Sequence, residues 1–214
     1  MIKNKVIYQN EKEILRLLDF FSNESEYKKT NNIVVGVDEV GRGPLAGPVY
    51  AACVCLKYNF DLINLNDSKK LNENKRIFLE EKIKASSYFY SYGFASVEEI
   101  DKFNILNATM LAMKRAVDKC PVKPDLVLVD GNKIPDWEYN SIAVIKGDIK
   151  LPSIAAASIL AKTKRDRLMT LMQEIDKEFN YAKHKGYGTK EHFNELKRNG
   201  PSFLHRRTFI KDYI

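Results

Sequence analysis

The chain has 214 residues, with 44% hydrophobic and 29% charged residues and a formal net charge of +7. This balance excludes a disordered or fibrous protein and favours a globular domain with polyanionic partners. The longest apolar run, near residues 45–56, is too short to span a bilayer, and the N-terminal residues lack the apolar core of a signal peptide. We therefore expect a cytoplasmic protein without a membrane segment, and a monomer by default.

Residues 1–30 are predicted to form a helical extension, and residues 31–214 one domain. Asn10 and Glu13 have the spacing of a helix cap. Apolar residues then recur with helical spacing at Ile14, Leu17, Leu18 and Phe21. The polar residues 22–32 are predicted to form a linker.

Two apolar strands are predicted next, Ile33–Asp38 and Pro48–Leu56, and both have the pattern of central strands in a covered sheet. Cys53 and Cys55 share one face of the second strand, which indicates small core residues. The three cysteines of the chain have no zinc-site spacing.

The rest of the chain alternates between helices and strands. The elements are a helix from Glu73 to Ala85, a strand Tyr88–Ala95, a short helix capped by Ser96 and Glu99, a helix from Ile105 to Lys119 opened by Asn104, strands Asp125–Asp130 and Ser141–Lys146, and a helix from Ser153 to Phe179. Residues 184–210 mix a short helix with loops. This order predicts an α/β domain with a mixed sheet.

Three of the predicted strands end in carboxylates. Asp38 and Glu39 close the first strand, Asp130 closes the fourth, and Asp148 lies just past the fifth. In open α/β sheets, sites gather at the edge where strands end. Neighbouring side chains on a regular strand point to opposite faces. Asp38 and Glu39 can therefore share a site only if the strand ends or twists there.

Converging carboxylates repel one another, and a hard divalent cation is the usual way to keep them ionised. Oxygen ligands suit Mg²⁺ or Mn²⁺ rather than zinc. A pair of such ions about 3.5–4 Å apart promotes displacement at phosphorus. The alternative is that each acid caps a turn or pairs with a lysine. Acids at the ends of three strands favour the metal site.

Basic residues near the acids are candidates for phosphate contacts. Lys69 lies in the segment DSKKL, and Arg42 lies in a glycine-rich turn. The long helix adds a basic face in the segment AKTKRDR, formed by Lys162, Lys164, Arg165 and Arg167. A merely solvated helix face is the alternative for that segment.

Two glycine-rich segments suggest ligand contacts. The turn GRGPLAGP is no Walker loop, but Gly41 and Gly43 let backbone groups approach a small polar feature such as a ribose hydroxyl. Tyr187 stands between two glycines on a basic loop, where it can stack on a sugar or base. A tight turn and a core tyrosine are the alternatives. The three histidines have no metal-site spacing.

Several motifs stand together in the order of a known family. They are GVDEVGRGPLAGPV, DSKKL, LVDGN, KGD, SIAAASILAK with RDR, and HKGYGT with GPSFLHRRTF. Over roughly residues 33–209 the chain thereby resembles bacterial ribonuclease HII. The resemblance implies a ribonuclease H-like fold, with a mixed five-stranded sheet flanked by helices. It also implies metal-dependent hydrolysis of RNA in RNA–DNA hybrids, and incision 5′ of ribonucleotides embedded in duplex DNA, leaving 3′-hydroxyl and 5′-phosphate ends.

The resemblance also implies residue roles. The catalytic, metal-binding acids are matched by Asp38, Glu39, Asp130 and Asp148, which would hold Mg²⁺ or Mn²⁺, two ions when substrate is bound. The substrate-binding positions are matched by Gly41, Arg42 and Gly43, which read the 2′-hydroxyl, and by Tyr187, which packs on the following deoxyribose. The helix reads AKTKRDR where AKVTRDR is expected, and only five residues follow Phe209.

Two other functions fit part of the pattern. A non-catalytic nucleic-acid-binding module would use the basic surplus, but it has no need of acids at three strand ends. Another metal-dependent nuclease on the same fold, of the resolvase or transposase type, would cleave an all-DNA duplex instead.

Overall fold

The computed structural model describes residues 2–57, 62, 64–66 and 68–213, with the backbone alone at residues 2–10 and 70. Five strands form one mixed sheet: β1 (Val34–Val40), β2 (Val49–Leu56), β3 (Ser87–Ala95), β4 (Leu126–Asp130) and β5 (Ser141–Val144). Their order is β3-β2-β1-β4-β5, so β1 is central. β2 is antiparallel to both of its neighbours, whereas β1, β4 and β5 run parallel. The predicted mixed five-stranded α/β fold is confirmed.

Helices cover both faces of the sheet. The helices are α1 (Ile2–Lys28), α2 (Glu73–Ala85), α3 (Val97–Asp118), α4 (Pro152–Ile175), α5 (Tyr181–His184), α6 (Lys190–Asn199) and α7 (Arg207–Ile210). One face carries a core shared with α1, α2 and α4. The other carries α3, and the buried Cys53 and Cys55 lie in that core, as predicted. Within the described residues, no helix is both long and apolar enough to cross a membrane.

α4 lies unusually close to β1. A side chain at Gly36 would collide with the backbone of Ser153 and Ile154 at the start of α4. Only glycine therefore lets the helix approach β1 at this point. Because Asp38 follows two residues later, this contact fixes α4 relative to the acids of β1.

The N-terminal helix differs from the prediction. It runs without a break from Ile2 to Lys28, so the predicted start at Asn10 is wrong, and of the predicted linker over residues 22–32 only the part after Lys28 is non-helical. Tertiary contacts extend it: Glu24 is fully buried, and its Oε2 accepts the backbone N–H of Ser153 at 2.8 Å. Of the predicted stripe, Leu17 and Phe21 are buried with Phe20, whereas Ile14 and Leu18 are exposed. The division of the chain at residue 30 stays a prediction.

The boundaries of α3 and α4 differ in detail from the predicted helices. α3 contains a break at Asn104, whose φ is 65°, so it consists of the two predicted helices in tandem. α4 ends at Ile175 rather than at the predicted Phe179. Phe179 instead enters a third buried cluster, formed with Tyr181 and the C-terminal helices.

Candidate active site

Three carboxylates meet at the end of β1 and β4. Ligand oxygens of Asp38, Glu39 and Asp130 lie within 4.8 Å of one another. β1 does not end at Asp38 as expected, since it stays paired with β2 through Val40. Its last pair with β4 is Val37 with Val129, so both acids lie beyond that pair, at the end of β4 where Asp130 stands. Asp38 bonds to Ser158 of α4, whereas Glu39 lines a cavity with residues of α3, so the two acids approach the edge from opposite faces.

The local electrostatics oppose ionisation of this pair. Asp38 is only 5% exposed, and burial followed by the charges of Glu39 and Asp130 raises its pKa well above the ordinary value. Burial also raises the pKa of Glu39, against the opposing effect of Arg42, whose Nη1 lies 3.6 Å from Oε1 of Glu39. Buried like charges of this kind are stabilised when a cation lies between them.

Asp148 lies beside this group rather than within it. It is buried on a 3₁₀ turn, Gly147–Ile149, that follows β5. The turn is tied to the acids, because the N–H of Gly147 donates to Oδ1 of Asp130 at 2.7 Å. Among the described residues, the acids whose ligand atoms converge are Asp38, Glu39 and Asp130.

Glu39 borders a cleft of about 540 Å³, and the ligand oxygens of Asp38 and Asp130 lie within 4.8 Å of its own. The lining of the cleft includes all five predicted substrate residues, namely Gly41, Arg42, Gly43, Lys69 and Tyr187. Sequence reasoning did not single out Ser68, Ile105, Ser158 or Phe209, which line it too. Of the basic helix face, Lys162 lines the cleft, while its Nζ also contacts Oδ1 of Asp166 at 2.7 Å.

A buried arginine holds the glycine turn from beneath. Arg206 is fully buried, and its guanidinium donates to the carbonyl oxygens of Gly47 at 2.9 Å, Arg42 at 3.0 Å and Gly41 at 2.5 Å. Gly41 itself has a φ of 98°, and a side chain there would collide with Arg165. The carbonyls of the turn thus point inward, toward a fixed positive charge. No sequence spacing marked Arg206 for this role.

Arg165 joins the glycine turn to the tyrosine loop. Its expected place on an exposed basic face is wrong, because the side chain is fully buried. It donates to the carbonyls of Pro48, Ala46 and Lys185, each at 2.9 Å. The helical period of the charge run could not reveal this, because both flanking segments come from distant parts of the chain.

Tyr187 projects into the cleft from the loop that follows α5. It is 37% exposed, and Nζ of Lys162 lies 5.4 Å from its ring centroid. The preceding Gly186 is bonded to the glycine turn, with its carbonyl accepting the N–H of Leu45 at 2.8 Å. The two segments singled out from the sequence therefore form adjacent walls of one cleft.

Solved structures with this fold place the chain in a functional class. A ribonuclease H2 from Pyrococcus horikoshii OT3 is 26% identical with a TM-score of 0.66, covering 82% of this chain and 92% of that one. A Bst ribonuclease HIII in complex with Mn²⁺ is 16% identical with a TM-score of 0.60, covering 78% of this chain and 63% of that one, and supports the fold alone. The fold and the acidic edge of its sheet define an enzyme of the ribonuclease H class.

The family follows from closer relatives. The family model for Ribonuclease HII matches residues 35–212. A Ribonuclease HII from Caldanaerobacter subterraneus subsp. tengcongensis is 48% identical over 205 residues, covering 95% of this chain and 85% of that protein. The chain belongs to the ribonuclease HII family, endonucleases that degrade RNA in RNA–DNA hybrids. A non-catalytic binding module is thereby set aside.

Proposed function

We propose that this enzyme also incises duplex DNA 5′ of embedded ribonucleotides, in a metal-dependent reaction that leaves 3′-hydroxyl and 5′-phosphate ends. Such an activity would serve ribonucleotide removal in DNA replication and repair, in the cytoplasm. The observation that carries the proposal is the shared cleft, in which Glu39, the glycine turn and Tyr187 border one space, with the carboxylate oxygens of Asp38 and Asp130 within 4.8 Å of that of Glu39. A substrate strand in this cleft would meet the turn, the tyrosine and the acids together.

The acid cluster fits a divalent cation. Three carboxylates offer converging oxygens, and the pKa values of Asp38 and Glu39 are raised because burial penalises their charged forms. Oxygen donors suit Mg²⁺ or Mn²⁺. We propose Asp38, Glu39 and Asp130 as ligands, with Asp148 joining them through the turn anchored on Asp130. When bound, the ions would supply an ionised water and stabilise charge on the leaving oxygen.

The residues of the chain would position the strand to be cut. Gly41, Arg42 and Gly43 would present backbone groups to the 2′-hydroxyl, which is how a protein distinguishes RNA from DNA. Tyr187 would pack on the deoxyribose that follows. Lys69, which is exposed on the cleft, would contact a phosphate. Asp38 would keep its acceptor geometry through the N–H of Glu39, 2.7 Å from Oδ1.

A paired cleavage assay tests the proposal. Wild-type protein is incubated with a DNA duplex carrying one ribonucleotide and with the matched all-DNA duplex, in Mg²⁺, in Mn²⁺ and in EDTA, and the product ends are mapped. We expect incision 5′ of the ribonucleotide in either metal and none in EDTA or in the all-DNA duplex. Incision of the all-DNA duplex would point to the other type of nuclease.

Single substitutions test the acids. Asp38→Asn and Asp148→Asn should each lower the rate at least about 100-fold, because losing a ligand exceeds the loss seen for outer-shell partners. Asp19→Asn is the matched control, since Asp19 is exposed on α1. Wild-type rates for Asp38→Asn would contradict the assignment of that residue.

The substitution Gly43→Ala tests the role of the turn in substrate binding separately from the stability of the protein. A methyl group at this position would meet no protein atom within 4 Å, so the fold does not require glycine there. Gly43→Ala should therefore leave the unfolding free energy within about 0.5 kcal/mol of wild type. The methyl would enter the cleft, so KM for the ribonucleotide-containing duplex should rise. An unchanged KM would contradict close approach of the substrate to this residue.

A further inference from the structure

Three buried histidines lie behind the tyrosine loop. His184, His192 and His205 are at most 5% exposed. The rings of His184 and His192 stack with centroids 4.1 Å apart, and Nε2 of His192 lies 3.0 Å from Nε2 of His205. The six ring nitrogens all have hydrogen-bond partners within the protein, so the cluster offers none to a cation.

The backbone fixes the proton positions on two of these rings. The N–H of Ser202 donates to Nδ1 of His205 at 3.0 Å, so the proton of a neutral His205 is on Nε2. Nδ1 of His192 lies 2.9 Å from the carbonyl oxygen of Tyr187, which can only accept, so Nδ1 carries the proton. Nε2 of His192 must then accept from His205. The hydrogen bonds run in one direction, from Ser202 to the carbonyl of Tyr187.

His184 holds the neighbouring peptide by the same logic. Its Nδ1 accepts the N–H of Gly186 at 3.1 Å, so its Nε2 carries the proton and donates to Oε2 of Glu195 at 3.0 Å. Burial lowers the pKa of all three histidines, and the neighbouring rings add to this effect at His192 and His205. The network is therefore neutral near pH 7, and protonation of His192 would bring two N–H groups face to face.

We propose that His192 is a positioning residue for Tyr187, holding its backbone so that the ring keeps one orientation in the cleft, and that His205 serves only to fix the proton of His192 on Nδ1. The inference rests on the proposed function, in which the Tyr187 ring packs on the sugar after the ribonucleotide. The Tyr187 ring faces the cleft, whereas the backbone N–H and carbonyl of Tyr187 are hydrogen-bonded on the side away from the cleft. Its N–H donates to the carbonyl of His184 at 2.8 Å, and its carbonyl accepts from both His192 and Thr189.

A pair of amide substitutions isolates the bond to Tyr187. In His192→Asn the side-chain amide nitrogen takes about the place of Nδ1, so the bond to the Tyr187 carbonyl is kept and the bond to His205 is lost. In His192→Gln the amide reaches the Nε2 position, and the bond to Tyr187 is lost. Both variants lose the ring stack with His184, and each keeps one of the two bonds, so the pair separates the bond to Tyr187 from the bond to His205.

The measurement is the kcat and KM for two substrates, a DNA duplex with one ribonucleotide and an all-RNA strand paired with DNA. Losing one hydrogen bond of ordinary net strength corresponds to about a three- to tenfold change. We expect His192→Gln to raise KM for the single-ribonucleotide duplex by that factor and to reduce the preference for it, as Tyr187→Ala should. His192→Asn should stay within about twofold of wild type. Equal behaviour of the two variants, whether active or impaired, would overturn the inference.

A double substitution distinguishes positioning from loss of fold. In a Tyr187→Ala background, His192→Gln should have no further effect on KM, because the ring that it positions is gone. An additional loss of the same size would overturn the inference even if His192→Gln lowers the unfolding midpoint. If Tyr187→Ala itself leaves KM and preference unchanged, the proposed role of Tyr187 fails. If Tyr187→Ala changes them and His192→Gln does not, only the histidine inference fails.

Discussion

Arg206 is expected to be indispensable for the glycine turn, and Arg206→Met tests this. The substitution removes three hydrogen bonds to carbonyl oxygens, those of Gly41, Arg42 and Gly47. A buried carbonyl without a partner costs about 1–3 kcal/mol, so three correspond to about 3–9 kcal/mol. Methionine avoids the cost of burying a guanidinium, which is several kcal/mol. With the first cost near the middle of its range, about 6 kcal/mol, and an avoided cost of about 3 kcal/mol, we expect the unfolding free energy to fall by about 3 kcal/mol.

Urea unfolding and steady-state cleavage measure the two consequences. Arg206→Lys keeps the positive charge but cannot reach three carbonyls at once, so its stability should lie between Arg206→Met and wild type. Variants that remain folded should show a raised KM, because the backbone that faces the cleft is no longer fixed. Arg198→Met is the control, since Arg198 is exposed on α6. If Arg206→Met unfolds within 1 kcal/mol of wild type and keeps its KM, the three bonds do not hold the turn.

Three further predictions concern stability. Glu24→Ala should lower the unfolding free energy by about 2–3 kcal/mol in urea unfolding, because the N–H of Ser153 loses its buried acceptor; no change would mean that α1 does not hold α4. Asp38→Asn should raise the thermal midpoint in EDTA at pH 7. The folded protein raises the pKa of Asp38, so at any pH above the ordinary pKa of an aspartate the ionisation of this side chain destabilises the fold, and asparagine cannot ionise. A lowered midpoint would contradict this sign. Burial lowers the pKa of His205 to about 3. Between about pH 6.5 and 3 the unfolded chain therefore binds one more proton than the folded protein, and the unfolding free energy falls by about 1.4 kcal/mol for each unit by which the pH is lowered. His205→Asn should flatten the pH profile of urea unfolding by about one proton, and an unchanged slope would refute the assignment.

The sheet and its acidic edge were predictable because their signals are local. An apolar strand followed by an acid needs only a few adjacent residues to be recognised, and Asp38 and Asp130 both have this context. Their proximity then follows from the parallel pairing of β1 with β4. The end of β1 was misjudged, because pairing with β2 through Val40 depends on a partner strand rather than on the residues themselves.

The supports of the site could not be read from local pattern. Arg165 lies in a charge run typical of a solvated helix face, yet its partners are carbonyls of residues 46, 48 and 185. The histidines are spaced without metal periodicity, and their network depends on the return of the chain after α6. The residues around Glu24 have the polar composition of a linker. The burial of Glu24 against α4 explains why α1 continues through them.

The Arg206 bonds also have a consequence for the order of events during synthesis. They join residues 164 and 165 positions apart, so the glycine turn gains its clamp only after nearly the whole domain has left the ribosome. At a translation rate of about 5–20 residues per second, this delay is on the order of 10 s. A nascent chain that already contains Asp38, Glu39 and Asp130 still lacks the three bonds from Arg206 to the glycine turn. The turn therefore cannot be clamped before residue 206 has emerged.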